Sequence, residues 1–419
     1  MRFIYTVLFY FLVPIILLRL FWRGFKAPEY RNRWTERLAV YKHHYPKNVI
    51  WIHAVSVGEV EAVLPLVKHL QTQYSSSNFL ITTTTPTGSA RVKAVLSETV
   101  SHVYLPYDLP CVVSRFLKVF KPRIAIFMEK EIWPNLYGQC AANKIPLMII
   151  NARLSANSAK GYKKIPSLVK PALANVSWIA TQTEEDGQRF VEIGASESLV
   201  SVEGNLKFDI SIDEKVVQKA QTIRHNTFAD RFVFVVASTH TAEEDVFFDI
   251  YPQLKQRIPE LLLVVVPRHP ERFKEVQKLS EKSGLKTCMR SSHLPCTDDD
   301  DVYIADTMGE LKQLYGAADL CFVGGSMVPV GGHNVLEPAI MNVPILFGPY
   351  MVNFKEIAAK VLALNAAVQC ADKQEIVATV SHLYQDEKER EVMVLKARQF
   401  VDENQGATER IAGLISKMI

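Results

Sequence analysis

The sequence predicts an α/β protein of two doubly wound, mainly parallel sheets, preceded by an apolar N-terminal segment. Three observations carry this. The chain has 419 residues, which suits two domains of about 150–200 residues better than one. Short apolar runs alternate with amphipathic stretches of helical period, the signature of β-α units and of a sheet covered on both faces. The pattern pauses after Asn205 and restarts at Arg231, which places the boundary between these residues.

The elements follow in chain order. Residues 3–18 carry no charge, and Leu20, Phe21 and Trp22 extend the apolar run past Arg19. The run is slightly shorter than the roughly 17–25 residues of a spanning helix, and Pro14 should kink it. A cleaved signal peptide is the poorer reading, because no small-residue cleavage site follows and the basic cluster comes after the apolar run. Trp22, Arg23, Lys26, Arg31, Arg33 and Arg37 form an expected collar against anionic headgroups, so the segment reads as a retained anchor that either spans or lies in the interface. Strands are then expected at 49–55, 79–84, 102–105, 124–128, 146–151 and 177–181, with helices at 60–74, 112–120 and 132–144 between them. The second set has strands at 232–237, 261–266, 302–305, 320–323 and 344–347, and helices at 242–255, 271–282 and 333–341. Ligands of such sheets bind beyond the carboxyl ends of the strands, so an interdomain site should draw on strand-end loops from both halves.

Charge narrows the function class. Residues 1–50 hold nine basic residues against two acids, so that segment carries +7 of a net +4 and the other 369 residues sum to −3. A nucleic-acid binder would line a folded groove with its positive charge rather than one terminus, so no nucleic acid is expected. Aromatic residues at 10% and charged residues at 22% exclude disorder. Six cysteines without a Cys-x-x-Cys pair point to a reducing compartment and no structural zinc, with Cys111, Cys140 and Cys321 expected in apolar surroundings. The run Asp298–Asp301 could hold a cation, but a solvated turn is the better reading, and no metal or cofactor is expected.

The chemistry-bearing motifs all sit at strand ends. His53-Ala-Val-Ser-Val-Gly-Glu59 runs from a strand into a helix, and Glu59 there is either a proton acceptor or the partner of Ser56 in a capping box, with spacing alone favouring the cap. Thr82 to Gly88 makes a hydroxyl-rich turn that binds a sugar or satisfies the next helix's amides. Glu129 and Glu131 differ by two, so an extended chain would put them on one face. Lys207 lies at the domain junction. In the second half, Ala237-Ser-Thr-His240 and Val266-Pro-Arg-His-Pro270 offer two histidines and Arg268 to an anion. Asp306-Thr-Met-Gly-Glu-Leu311 follows, then a loop bracketed by Gly324-Gly325 and Gly331-Gly332 that enters a helix at His333, whose amides would hold phosphate while Glu337 accepts from ribose hydroxyls. No dinucleotide fingerprint or Walker loop is present, which disfavours hydride transfer and nucleotide hydrolysis.

Taken together, these motifs resemble the 3-deoxy-D-manno-octulosonic acid (Kdo) transferases of Gram-negative bacteria. The resemblance runs through Arg23 to Pro28, Ser56-Val-Gly-Glu59, Thr85-Pro-Thr-Gly88, Val103-Tyr-Leu-Pro-Tyr-Asp108, Trp133-Pro-Asn135, Asn151-Ala-Arg-Leu-Ser155, Leu206-Lys-Phe-Asp209, Pro267-Arg-His-Pro-Glu-Arg272, Asp306 to Leu311 and the glycine-rich loop. One departure is Thr241-Ala242, where relatives often carry a glycine before Glu-Glu. The resemblance implies a GT-B fold: an anchor over 1–26, an acceptor-binding domain over 27–209 and a CMP-sugar-binding domain over 210–419. It implies metal-independent, inverting transfer of Kdo from CMP-Kdo to a lipid A precursor (lipid IVA) in lipopolysaccharide biosynthesis. The enzyme would sit at the cytoplasmic face of the inner membrane, against anionic lipids. By the same resemblance Glu59 is the general base, Glu129 and Lys207 stabilise the transition state, and CMP is held by Pro267, Arg268, Met308, Gly309, Glu310, Asn334, Val335, Leu336 and Glu337. The rival readings are another GT-B enzyme that moves a sugar from UDP to a lipid, and a silent, membrane-tethered nucleotide-binding scaffold.

Overall fold

Residues 1–96 and 98–419 are described by a computed structural model, apart from the side chain of Lys26. The chain forms two compact units, Met1–Asp209 with Asn404–Ile419, and Ile210–Glu403.

Seven parallel strands make the first unit's sheet, in the order β3-β2-β1-β4-β5-β6-β7. They are β1 (Val49–His53), β2 (Asn78–Thr83), β3 (Ser101–Tyr104), β4 (Ile124–Met128), β5 (Leu147–Ala152), β6 (Trp178–Thr181) and β7 (Val200–Val202). Strand β1 shows why a continuous apolar run is needed. Its Val49 and Trp51 enter one core layer, while Ile50 and Ile52 enter the other, so both faces are dry. Trp51 packs on Phe116 and Phe127, with ring centroids 4.6 and 5.2 Å apart.

The second unit is also a seven-stranded parallel sheet, in the order β10-β11-β9-β8-β12-β13-β14, with β11 inserted between β9 and β10. Its strands are β8 (Phe232–Thr239), β9 (Leu261–Pro267), β10 (Thr287–Met289), β11 (Val302–Ile304), β12 (Leu320–Val323), β13 (Ile345–Phe347) and β14 (Ala367–Gln369). Three strands were not foreseen, β7, β10 and β14. All lie at sheet edges, have three residues each and are only partly buried, so they lack the apolar run that marks an interior strand.

The chain's end departs from a division at residue 210. The Ala407–Ser416 helix returns to the first unit, where Ala407, Ile411, Ala412 and Ile415 join Ile50 and Ile52 in one core layer. Asp209 fixes the return, its carboxylate accepting the Gly406 N–H at 2.7 Å and the Thr408 N–H.

The N-terminal helix spans Arg2–Lys26 without a break at Pro14. Its stretch Arg2–Phe25, which contains an 18-residue window of mean hydropathy 2.2, is long and apolar enough to cross a membrane. The expected collar divides. Arg37 is buried, donates to the Thr84 carbonyl at 2.8 Å and lies 4.2 Å over the Tyr104 ring. Arg33 donates to Glu36, Ser89 and the His102 carbonyl. These two arginines therefore bind the protein's own acceptors, whereas Trp22, Arg23 and Arg31 stay at the surface. The Lys26 side chain lies outside the described residues.

Candidate functional site

In an open α/β sheet the crevice forms where the strand order reverses. In the first unit that point lies between β1 and β4, and it explains why two distant carboxylates meet. Glu59 stands in the first turn of the Val57–Gln73 helix, which leaves the end of β1. Glu129 directly follows β4. The Glu59 carboxylate accepts the Val55 N–H at 2.8 Å and the Ser56 hydroxyl at 3.4 Å. Ser56 is the N-cap residue but its side chain accepts no helix N–H, and Glu59 takes the N–H of Val55 rather than that of Ser56, so the capping box suggested by the spacing does not form. Burial raises the Glu59 pKa to about 8, and the charges of Glu129 and Glu131 push the same way against the stabilising Val55 and Ser56 bonds. Such a group is protonated near neutrality yet easily ionised, which suits a proton acceptor.

Glu129 adopts a left-handed backbone, φ 58°, and its N–H donates to the Ile150 carbonyl at 3.0 Å. The chain turns here, so the extended geometry expected for Glu129 and Glu131 is not found. For a non-glycine residue this conformation costs about 1 kcal/mol or more. Lys207 lies in a short 3-10 turn, Leu206–Phe208, half-buried. That turn is held from β5: Asn151, buried with φ 50°, accepts the Leu206 N–H at 3.0 Å. Among the described residues the Asn151 Nδ2 has no hydrogen-bond partner. The motif around Asn151 was legible, but its role as the link from β5 to Lys207 was not.

The hydroxyl-rich turn proves structural. Thr84 and Thr85 donate to the Val55 carbonyl, and Thr85 accepts the Gly88 N–H at 3.1 Å. His53 is likewise internal: fully buried beside Thr82, it is held neutral, its pKa down at about 3.

The second unit's strand order reverses between β8 and β12. His240 follows β8, His333 lies in the glycine-rich loop after β12, and their Nε2 atoms are 2.9 Å apart with the rings stacked. One imidazole must donate and the other accept, so both cannot carry a proton on Nε2. Burial first, then the charges of Arg268 and His240, lowers His333 to about 4. His269 packs edge-on against His240, and the exposed Arg268 is fixed by its N–H to the Thr239 carbonyl at 3.0 Å.

A residue the motifs passed over organises this loop. The buried Glu243 carboxylate accepts the N–H groups of His240 (3.0 Å), Gly325 (2.6 Å), Ser326 (3.0 Å) and Met327 (2.9 Å). The available signal was the Glu-Glu pair opening a helix after a strand-end histidine. Next to it, Glu244 forms a buried ion pair with Arg272. Gly324 is required because a Cβ there would lie 2.5 Å from the Ala237 carbonyl. Ala242 sits at φ 75°, a conformation that glycine adopts at less cost.

The other residues expected to hold CMP have mixed surroundings. Met308 is exposed and Gly309 has φ 86°. Glu310 is already neutralised by Arg290 through bonds of 3.0 and 2.9 Å, which hold its carboxyl below the usual range. The helix expected over 333–341 is only Leu336–Ile340, and the Asn334 side chain already accepts the Leu336 N–H at 3.0 Å. Phosphate would therefore meet loop amides more than a helix dipole. Val335 and Leu336 are buried and position the loop, while Pro267 ends β9 and Glu337 is half-buried.

The acidic run divides into separate tasks. Asp301 accepts from the Tyr251 hydroxyl and the Lys286 N–H, Asp300 from Thr297, and Asp299 pairs with Lys286. All six cysteines are free, with Cys140 and Cys321 buried but Cys111 exposed, contrary to its expected apolar setting.

Comparison with known proteins agrees with this layout. Residues 32–210 match the family described as 3-deoxy-D-manno-octulosonic-acid transferase (kdotransferase). A 3-deoxy-D-manno-octulosonic acid transferase of Haemophilus influenzae is 37% identical over 422 residues, covering 99% of this chain and 98% of that protein. One from Bordetella pertussis is 32% identical, covering 86% and 85%. Among solved structures, the UDP-GlcNAc 2-epimerase of Neisseria meningitidis matches with TM-score 0.58 at 14% identity, covering 89% of this chain and 100% of that one, which places the fold in the GT-B type. Full-length identity, with the strand-end motifs in order, gives the family: the chain belongs to the 3-deoxy-D-manno-octulosonic acid transferases, a family of glycosyltransferases.

Proposed function

We propose that the protein transfers Kdo from CMP-Kdo to a sugar hydroxyl of a lipid A precursor, with inversion and without a metal, at the cytoplasmic face of the inner membrane. The observation that carries the mechanism is Glu59: a half-buried carboxylate at the first unit's switch point, its pKa raised to about 8. Glu59 takes the proton of the acceptor hydroxyl as that oxygen attacks the anomeric carbon of Kdo. The bond from that carbon to the phosphate oxygen breaks, and its electron pair leaves with CMP. Arg268 and the amides of the glycine-rich loop, which Glu243 holds in place, receive the charge on the departing phosphate. Glu129 and Lys207 stabilise the transition state, and Met308, Gly309 and Glu310 line the nucleoside, with Glu310 contributing mainly backbone because Arg290 occupies its side chain.

Incubating purified protein with CMP-Kdo and a tetraacylated disaccharide, with and without a chelator, tests this by product mass. Product that carries Kdo and persists in chelator supports the reading. Transfer from a UDP-sugar instead, or CMP binding without any transfer, would replace it with one of the two rival readings.

A further inference from the structure

We propose that the Arg2–Lys26 helix lies in the plane of the membrane interface, seated lengthwise on the first unit, rather than crossing the bilayer; this rests on the membrane attachment proposed above. Its occupant is the acyl-chain boundary of a bilayer with anionic headgroups.

The helix has two unlike faces. Ile4, Leu8, Phe11, Ile15, Leu18, Trp22 and Phe25 are exposed, between 53% and 72% of each. They follow one another in steps of four and three, so they stay on a single stripe for the whole helix. On the other side Val13 is buried in the unit's core layer with residues such as Leu136 and Phe116, and Phe9 and Leu17 pack partly buried against it. A helix crossing a bilayer alone would have no reason to divide its apolar residues into a packed face and a bare one.

Both ends are held by the same folded unit. At the start, Arg2 donates to the Asn135 Oδ1 at 2.9 Å and Tyr5 to the Asp108 carboxylate at 2.9 Å, while Thr6 bonds Asn135. Asp108 is itself buried, and accepts the N–H groups of Asn135 and Leu136. At the far end, the Arg31 guanidinium lies 4.7 and 4.0 Å over the rings of Phe21 and Phe25, and Phe21 meets Trp34. A 25-residue helix is about 38 Å long. Were it to span a hydrocarbon layer of about 30 Å, the polar contacts at Asp108 and Asn135 would have to form on the opposite side of the membrane from those at Arg31 and Trp34. Lying flat keeps both sets of contacts. Arg19 and Arg23, exposed near the stripe's end, then face headgroup phosphates.

The experiment uses the full chain, with Cys111, Cys288 and Cys296 replaced by serine, bound to vesicles of phosphatidylethanolamine and phosphatidylglycerol. Single nitroxide labels at positions 4, 8, 11, 15, 18, 22 and 25, and at 9, 13 and 17, report depth through collisions with oxygen and with a soluble nickel chelate. One shared shallow depth along the stripe, with 9, 13 and 17 shielded from both quenchers, is the expected result. A steady ramp through the bilayer centre, separating positions 4 and 25 by about 32 Å, overturns the proposal while leaving membrane attachment intact. Failure to bind vesicles at all removes the attachment reading itself. As a second check, a Phe3→Cys variant in spheroplasts should stay unreactive to an impermeant maleimide added outside; labelling there also overturns it.

Discussion

The two units differ in full strand order but both reverse direction at their first strand, β2-β1-β4 in one and β9-β8-β12 in the other, and they load that switch point with opposite chemistry. The first brings together carboxylates, Glu59 after β1 and Glu129 after β4, and burial raises Glu59 to about 8. The second brings together imidazoles, His240 after β8 and His333 after β12, with Arg268 alongside, and burial lowers His333 to about 4. In both cases burial opposes the charged form, so it moves an acid up and a base down. The result is a carboxyl in one unit that holds its proton up to about pH 8, and in the other a neutral His333 imidazole beside the Arg268 guanidinium. Both chemistries fit the same kind of switch point because the crevice is made by the reversal of strand order, while the chemistry is set by a few residues after each strand.

The largest expected effect comes from removing the acid side. Glu59→Gln should lower turnover by about 10²–10⁴-fold with CMP affinity unchanged, measured by product formation and calorimetry. Because the folded protein raises the pKa of Glu59 above its unfolded value, the folded state binds the proton more tightly and loses stability as pH rises from the unfolded value towards 8. The same variant should therefore melt a few degrees higher near pH 8, and a lower melting point would contradict the assigned environment. On the basic side, Arg268→Ala should weaken CMP binding by roughly 10–100-fold, the loss of a charge-assisted contact, with little change in acceptor binding.

A pH profile sharpens the comparison further. A base with a pKa near 8 makes kcat/KM rise about tenfold per pH unit below that value and level off above it. Glu129 contributes to that high value, so Glu129→Gln should slide the rising limb to lower pH; an unmoved limb would show that the two carboxylates do not interact. The smallest effect concerns strain. Each switch point has a non-glycine residue in the left-handed region nearby, Glu129 at φ 58° and Ala242 at φ 75°. Ala242→Gly should stabilise the protein by about 1 kcal/mol, a rise of about 2–4 °C in the melting of the second unit, without loss of activity. At Glu129 the same relief would remove the side chain proposed to act in the reaction.

Much of this organisation was readable beforehand. Interior strands such as β1, β4, β8 and β9 are unbroken apolar runs because both of their faces are buried, and the site motifs sit where those runs stop. The short edge strands were not readable, since three half-exposed residues have no distinctive period. Among the cations of the basic collar, sequence could not tell Arg31, which stays at the surface, from Arg37, which turns inward to the Thr84 carbonyl. Nor could it show that Glu310 is neutralised by Arg290, twenty residues away, or that Glu243 gathers four N–H groups from two loops.

The sequence by itself therefore determined the class of fold, the order of its strand-end motifs and the presence of an apolar N-terminal helix, because these depend on local pattern and spacing. Tertiary structure decided which charges are spent on the protein itself and which remain for a ligand, and which face of the N-terminal helix is already covered. Those outcomes depend on partners distant in the chain, and the cost of leaving a buried charge or donor unpaired is what selects them.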